Sequence, residues 1–194
     1  FNPWQRPIYT DEQIKTMTTE ANGFISILRT QDEMLQMWKL QRFFEEVGPK
    51  VLHTEEIVYS IEHDEAGTLD NAFFIEKGTY QVHGSKGLKI PKSGIYVADL
   101  KTGKVVNSHT WRQLAPYAKC YDRMGFGKPE GALILHTSST NKSGIEEFGC
   151  LLRTAAELEG DYDAYKTTAR LWDLDNAYKM PKIFEFPSRI QRKK

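Results

Sequence analysis

The middle of this 194-residue chain carries three short motifs in order: Gly67-Thr68-Leu69-Asp70, then Gly94-Ile95-Tyr96-Val97-Ala98-Asp99-Leu100-Lys101-Thr102-Gly103, then Gln113-Leu114-Ala115-Pro116-Tyr117. Together they supply two carboxylates and a lysine, the groups that metal-dependent hydrolysis of a phosphodiester needs. Alternation along a strand sends Ile95, Val97, Asp99 and Lys101 to one face and Tyr96, Ala98 and Leu100 to the other. An apolar strand ending in an acid and a base cannot bury either one unpaired, because an uncompensated buried charge costs several kcal/mol or neutralises through its pKa. The strand end therefore calls for a charged partner, and a divalent cation fits.

Phosphodiester hydrolysis requires a water turned into a strong nucleophile and a sink for the charge on the leaving oxygen, and one or two bound Mg²⁺ ions provide both. Mg²⁺ takes hard oxygen ligands and keeps several waters, so two aspartates on neighbouring strand ends plus a backbone carbonyl suffice. Lys101 would position or deprotonate the attacking water, or neutralise charge in the transition state. Gln113 and Tyr117 are four apart, so a helix presents both on one face.

An Asp-x-Lys pair alone is common. In this order, Gly-Thr-x-Asp, an apolar strand ending in Asp-x-Lys-Thr-Gly and a following Gln-x-x-x-Tyr make the sequence resemble the PD-(D/E)xK nuclease superfamily, in the branch of RecB-type nuclease domains and related phage exonucleases. A glutamate-bearing strand, Thr54-Glu55-Glu56-Ile57-Val58-Tyr59-Ser60, leads into Ala66-Gly67-Thr68-Leu69-Asp70 as in that branch, and the resemblance spans about Val51 to His136. It implies a restriction-endonuclease-like core with Asp70 and Asp99 as metal ligands, the carbonyl of Leu100 as a third, and Lys101 as catalytic lysine. Gln113 would stand near the active site with Tyr117 supporting it. Glu56 would be a supporting acid, with Glu55 the alternative if the strand register is reversed. The implied cofactor is Mg²⁺ or Mn²⁺. The implied activity is an exonuclease acting on DNA in phage or bacterial replication, recombination or repair, partnered by a helicase, recombinase or single-strand-binding protein. Family members usually carry a further His or Glu on an upstream helix, often in a Gly-x-x-x-His setting. Phe1 to Val47 holds no such segment; Glu45 or Glu46 could substitute from a helix end, although either reads first as a solvated helix terminus. The rival reading is a catalytically inactive protein of this fold serving as a binding or assembly module in a virion or a nucleic-acid machine.

The surrounding elements must position these groups. Thr10-Asp11-Glu12 reads as an N-cap with acids in a first turn, predicting a helix from about Asp11 to Asn22 that ends at Gly23. Met34, Leu35, Trp38, Phe43, Phe44 and Val47 recur at helical spacing over Gln31 to Val47, and Gly48-Pro49 stops the run. A sheet begins at Lys50 with β-rich stretches that turn at His63-Asp64-Glu65 and continue from Ala66 to Ile75 as a meander. Lys77 to Ser93, rich in Gly and Pro, reads as a hairpin-like insertion, which either contacts DNA through Lys86 and Lys89, with Lys104 as a further DNA contact, or is simply a long surface hairpin. Thr110 caps a helix reaching about Met124, with Pro116 either kinking it or near its start. Ala132 to His136 is a buried strand, Glu146 to Leu158 is strand or helix, and Asp161 to Trp172 is a last amphipathic helix. The fold class is α/β or α+β: a central mixed sheet flanked by helices in one domain over 1–194. Its parts are a helical portion 1–49, a sheet core 50–136 with an insertion at about 77–93, and a C-terminal portion 137–194.

Composition adds exclusions. Twenty-six basic and 26 acidic residues cancel, so no global field marks a polyanion partner, although the tail Arg189-Ile190-Gln191-Arg192-Lys193-Lys194 is basic. Cys120 and Cys150 lack metal or disulfide spacing and read as plain thiols. His53, His63, His83, His109 and His136 are not paired for zinc. Trp4, Trp38 and Trp172 read as core residues; so does Trp111, unless its place just before Gln113 puts it beside the substrate groove. No apolar run is long enough to cross a bilayer and the first residues lack a signal-peptide layout. The expected location is the cytoplasm of a bacterium or phage-infected host, or a virion, with no membrane partner.

Overall fold

The computed structural model describes residues 31–82, 87–103, 105–138 and 149–176. The helix expected from Asp11 to Asn22, Lys86, Lys104 and the basic tail lie outside these residues. Among them, helix α1 (Gln31–Val47) has the bounds its apolar spacing predicts. It stops where Gly48 takes φ 60° and donates its N–H to the Phe44 carbonyl at 3.0 Å, a left-handed cap that glycine adopts without a Cβ penalty.

Strand β1 (Lys50–Ser60) turns through a short 3₁₀ segment (Ile61–His63) into β2 (Glu65–Ile75), then come the short strands β3 (Gly78–Tyr80) and β4 (Leu88–Ile90). Strand β5 (Gly94–Lys101), helix α2 (Ser108–Arg123), strands β6 (Pro129–His136) and β7 (Gly149–Thr154), and helix α3 (Ala155–Asn176) follow among the described residues. The main sheet has the order β1-β2-β5-β6-β7, and β3 pairs with β4 in a separate two-stranded sheet. Neighbours in the main sheet run antiparallel except β5 and β6, which are parallel and joined through α2. A parallel pair cannot be closed by a tight turn, so the helix between them is the crossover that the topology demands. The protein is thus α/β with a mixed five-stranded sheet and three helices among the described residues.

Two cores form on the two faces. Val97, Ala132 and Ile134 pack with Leu114, Ala115, Ala118 and Tyr121 of α2 and Leu158 and Tyr162 of α3. Tyr96, Ala98, Leu133 and Leu135 pack with Phe43 and Val47 of α1. Strand β5 therefore alternates as its sequence requires. The insertion departs from expectation: Val82, Leu88 and Ile90 are 1–2% exposed and join the α1 core. Its β3–β4 hairpin is a wall of the core, because these three apolar side chains cover sheet surface that α1 leaves open.

Both later helices begin earlier than the sequence reading placed them. Asn107 rather than Thr110 occupies the N-cap of α2, and the helix runs through Pro116. Helix α3 starts at Ala155, where Glu157 accepts from both the N–H and the hydroxyl of Thr154 at 2.8 Å. Thr154-x-x-Glu157 is a capping box, which fixes the switch from β7 to α3 within the stretch left unassigned between strand and helix. No helix among the described residues is long and apolar enough to cross a membrane.

Candidate functional site

Asp99 is paired in the parallel ladder of β5, two residues before that ladder ends at Lys101, and it is 4% exposed. Lys101, two residues on and on the same face, donates from Nζ to Asp99 Oδ1 at 2.9 Å and lies 2.8 Å from Oδ2. Among the described residues Oδ2 receives no directed hydrogen bond and is met by the Lys101 charge. Burial pushes the Asp99 carboxyl up, the Lys101 ammonium pulls it back down, and the nearby Asp70 carboxylate raises it further.

Asp70 arrives by a device that simple alternation does not contain. Leu69 and Ala72, three apart, join the same core, so β2 breaks its period over Asp70 and Asn71. Strand β1 shifts register against β2 between Val51 and His53, and just beyond it Glu55 takes φ 51° while His53 and Glu56 meet at 2.9 Å. A bulge of this kind re-aims side chains beside it. The β2–β5 ladder runs only from Asn71↔Ala98 to Ile75↔Gly94. Beyond it, the Leu100 N–H is taken by Asp70 Oδ2 at 3.1 Å, so a side chain occupies the place of the next ladder partner. This brings Asp70, Asp99, Leu100 and Lys101 together at the strand end.

The far side of that strand end is pinned. The Lys101 carbonyl accepts from Thr137 N–H at 3.0 Å and from its hydroxyl at 3.4 Å. Ser138 donates to the Thr102 carbonyl at 2.7 Å, and the His136 ring Nε2 meets the Gly103 carbonyl at 2.6 Å. Buried Lys39 of α1 donates to the Thr137 carbonyl at 2.7 Å, and Gln36 accepts from the Thr137 hydroxyl at 3.2 Å. Lys101 therefore stands on a strand end held from β6 and from α1.

Gln113 and Tyr117 meet as their spacing requires: the Gln113 amide donates to the Tyr117 hydroxyl at 3.3 Å. The Tyr117 ring lies directly against Gly67, where an added Cβ would fall 2.3 Å from a ring carbon. That close approach explains the glycine in Ala66-Gly67-Thr68, three residues before Asp70. Alongside, α2, α3 and the start of β2 line a cleft of about 290 Å³, with Gln113 and Tyr117 among its lining residues. Its floor includes Glu65, fixed by Arg123 at 3.0 Å and the Tyr162 hydroxyl at 2.8 Å, with the Cys120 thiol beside it. Burial and the Glu65 carboxylate push that thiol up to about 11, and burial also raises the Cys150 thiol, so both are protonated near neutrality.

Other expected site residues are placed elsewhere. Glu56 pairs with His53 and borders Tyr121, with no recorded contact to Asp70 or Asp99. Glu45 and Glu46 pair with Arg42 along α1 at 2.8 and 2.6 Å, an ordinary helix-surface arrangement. Trp111 is 8% exposed under the Arg153 guanidinium at 4.8 Å, so it belongs to the core and offers no base-stacking face. Lys89 is exposed on β4. Sequence reasoning missed the cleft residues Arg112, Pro116 and Tyr165 and the Thr137 anchor. A stripe on α2 at helical spacing, His109, Arg112, Gln113, Pro116, Tyr117 and Cys120, was the available signal for the cleft.

The donor set suits a hard cation. Among the described residues no three His, Cys, Asp or Glu side chains converge on a metal position, which leaves two carboxylates and backbone oxygen. Mg²⁺ is commonly held by one or two carboxylates with waters and substrate phosphates, whereas zinc asks for more protein ligands. The undirected Oδ2 of Asp99 is a buried lone-pair position that such an ion would use. No family model and no curated protein matches the chain.

Proposed function

We propose that this protein is a Mg²⁺- or Mn²⁺-dependent DNA nuclease of the RecB-like PD-(D/E)xK type, with a restriction-endonuclease-like core and exonuclease action. The observation that carries the reading is the side-chain bond from Asp70 across the broken β2–β5 ladder, which sets it beside Asp99 and Lys101. Asp70, Asp99 and the Leu100 carbonyl would hold the metal. When bound, the metal supplies an activated water and a charge sink for the leaving oxygen.

The chain's own residues do the rest. Lys101, paired with Asp99 and with its carbonyl held by Thr137, would present its ammonium to the attacking water or the phosphate. Gln113, braced on Tyr117, orients what lies over the strand end. The low exposure of Asp99 keeps water away from one side and strengthens these charge interactions.

The sparse donor set also favours a second reading, a binding module in which Lys101 permanently neutralises Asp99. Titration calorimetry with Mn²⁺ alongside a DNA digestion assay separates the two. The nuclease reading expects metal binding and cleavage in the parent and loss of both in Asp99→Asn. A folded parent that binds no Mn²⁺ at millimolar concentration and leaves DNA intact refutes it.

A further inference from the structure

We propose that the outer face of α3 is the contact by which two copies of this chain pair, helix against helix and antiparallel, in a weak dimer. Leu158, Tyr162 and Tyr165, four and three apart, turn inward to the core shared with α2. A surface helix ordinarily puts its charges on the side opposite such a seam. In α3 that side is instead Gly160, Ala164, Thr167, Leu171 and Leu174, again four and three apart and all exposed. Leu171 and Leu174 are 57% and 70% exposed. Thr167 turns its hydroxyl back to the Asp163 carbonyl at 2.9 Å, which leaves its methyl group for the seam. The spacing is that of a and d positions over two heptads, a pattern that buries its seam against another helix.

Charge names the occupant as a second copy. One flank of the seam carries Glu159, Asp163, Lys166 and Arg170 in that order, two acids and then two bases. Such a block complements itself only when it is read in the opposite direction. About a two-fold axis midway between Ala164 and Thr167, Arg170 stands beside Glu159 and Asp163 of the partner subunit and Lys166 beside its Asp163, and the symmetry repeats each pair. Parallel pairing would set like against like. Within one copy these groups are held by exposed pairs, Asp163 with Lys166 at 2.9 Å and Glu159 with Lys119, which contribute little and exchange readily. Shape agrees: the same axis sets Leu171 over Gly160 of the partner subunit, where among the described residues an added Cβ would meet nothing within 4 Å. The other flank limits the strength, because Glu157, Asp161 and Asp175 are acidic in both copies. Size limits it too: a 22-residue helix is about 33 Å long and about 10 Å across, so this strip alone makes a small interface of the weak, reversible class.

The test is sedimentation equilibrium of the 194-residue chain over about 5 to 500 µM, with circular dichroism to show that each variant is folded. The parent should pass from monomer to dimer within that range and form nothing larger, because a two-fold contact closes on itself. Leu171→Glu, at an exposed position, should weaken pairing by about tenfold or more, since it sets an unpaired carboxylate in the seam. Arg170→Glu and Asp163→Lys should each weaken it by about 2- to 30-fold, because the symmetry turns two surface ion pairs into repulsions. An equimolar mixture of those two variants should dimerise as the parent does, since each mixed pair again joins opposite charges. A defect confined to the single chain would not be rescued by mixing. The charge variants decide alone where Leu171→Glu does not fold. A parent that stays monomeric throughout, a dimer that folded Leu171→Glu leaves intact, or charge variants that fail to recover on mixing overturns the proposal.

Discussion

Gly67→Ala tests the packing on which Tyr117 and the strand before Asp70 depend. Gly67 is a strand residue outside the left-handed region, where replacement by alanine ordinarily stabilises by about 0.5–1 kcal/mol because the unfolded chain loses freedom. Here the new Cβ would lie 2.3 Å from Tyr117 Cε1, 2.5 Å from its hydroxyl and 2.6 Å from Cζ. The ring has to retreat from 2.3 Å to at least 3.4 Å, about 1.1 Å, to reach ordinary contact. That displacement strains the Gln113 to Tyr117 hydrogen bond, already 3.3 Å long, and forces rearrangement in a packed region, for which about 1–3 kcal/mol is the usual cost. The sign is thus opposite to the general rule for glycine in a strand. Urea denaturation of the parent, Gly67→Ala, Tyr117→Ala and the double variant forms a cycle that isolates the contact. The single variant should lose about 1–3 kcal/mol, and most of that loss should vanish in the Tyr117→Ala background. If Gly67→Ala is as stable as the parent, or equally costly with and without the Tyr117 ring, the argument from steric contact is wrong.

Lys101→Ala should destabilise the fold by about 1–3 kcal/mol in chemical denaturation, because it leaves buried Asp99 without its ammonium, and Asp99→Asn in the same background should restore much of the loss. Glu65→Ala should cost about 2–4 kcal/mol, since Arg123, the Tyr162 hydroxyl and the Cys120 thiol all lose their acceptor, with Glu65→Gln milder. Cys120 should resist iodoacetamide at pH 8 in the native protein and react on unfolding. The folded thiol is raised to about 11 from 9.0, so the neutral form's contribution is complete below pH 9 and is lost as pH rises toward 11. A parent melting temperature that falls over that range, and falls less in Cys120→Ala, checks the direction.

The parts of the fold legible in the sequence are those set by local periodicity. Helix α1 could be read to the residue because its apolar spacing is unbroken and Gly48-Pro49 ends it without ambiguity. The two faces of β5 follow from period 2, and so does the contact of Asp99 with Lys101. What was not legible depends on partners distant in the chain. Alternation alone could not bring Asp70 to Leu100, because that placement needs the kink over Asp70–Asn71. Period 2 puts Asp99 on one face of β5 but could not show that it is buried to 4% exposure. Burial of the β3–β4 hairpin was hidden for the same reason: Gly and Pro mark its turns, while its apolar residues gain meaning only against α1. The start of α3 was legible in principle, through Thr154-x-x-Glu157.

The anchor at Thr137 joins groups far apart in the chain, since Lys39 and Thr137 are separated by 98 residues. Such a contact closes a long loop, whose entropy cost grows only slowly with its length. Through Thr137 the Lys101 carbonyl is tied to α1 as well as to β6. A change at Lys39 therefore reaches the end of β5 without touching it.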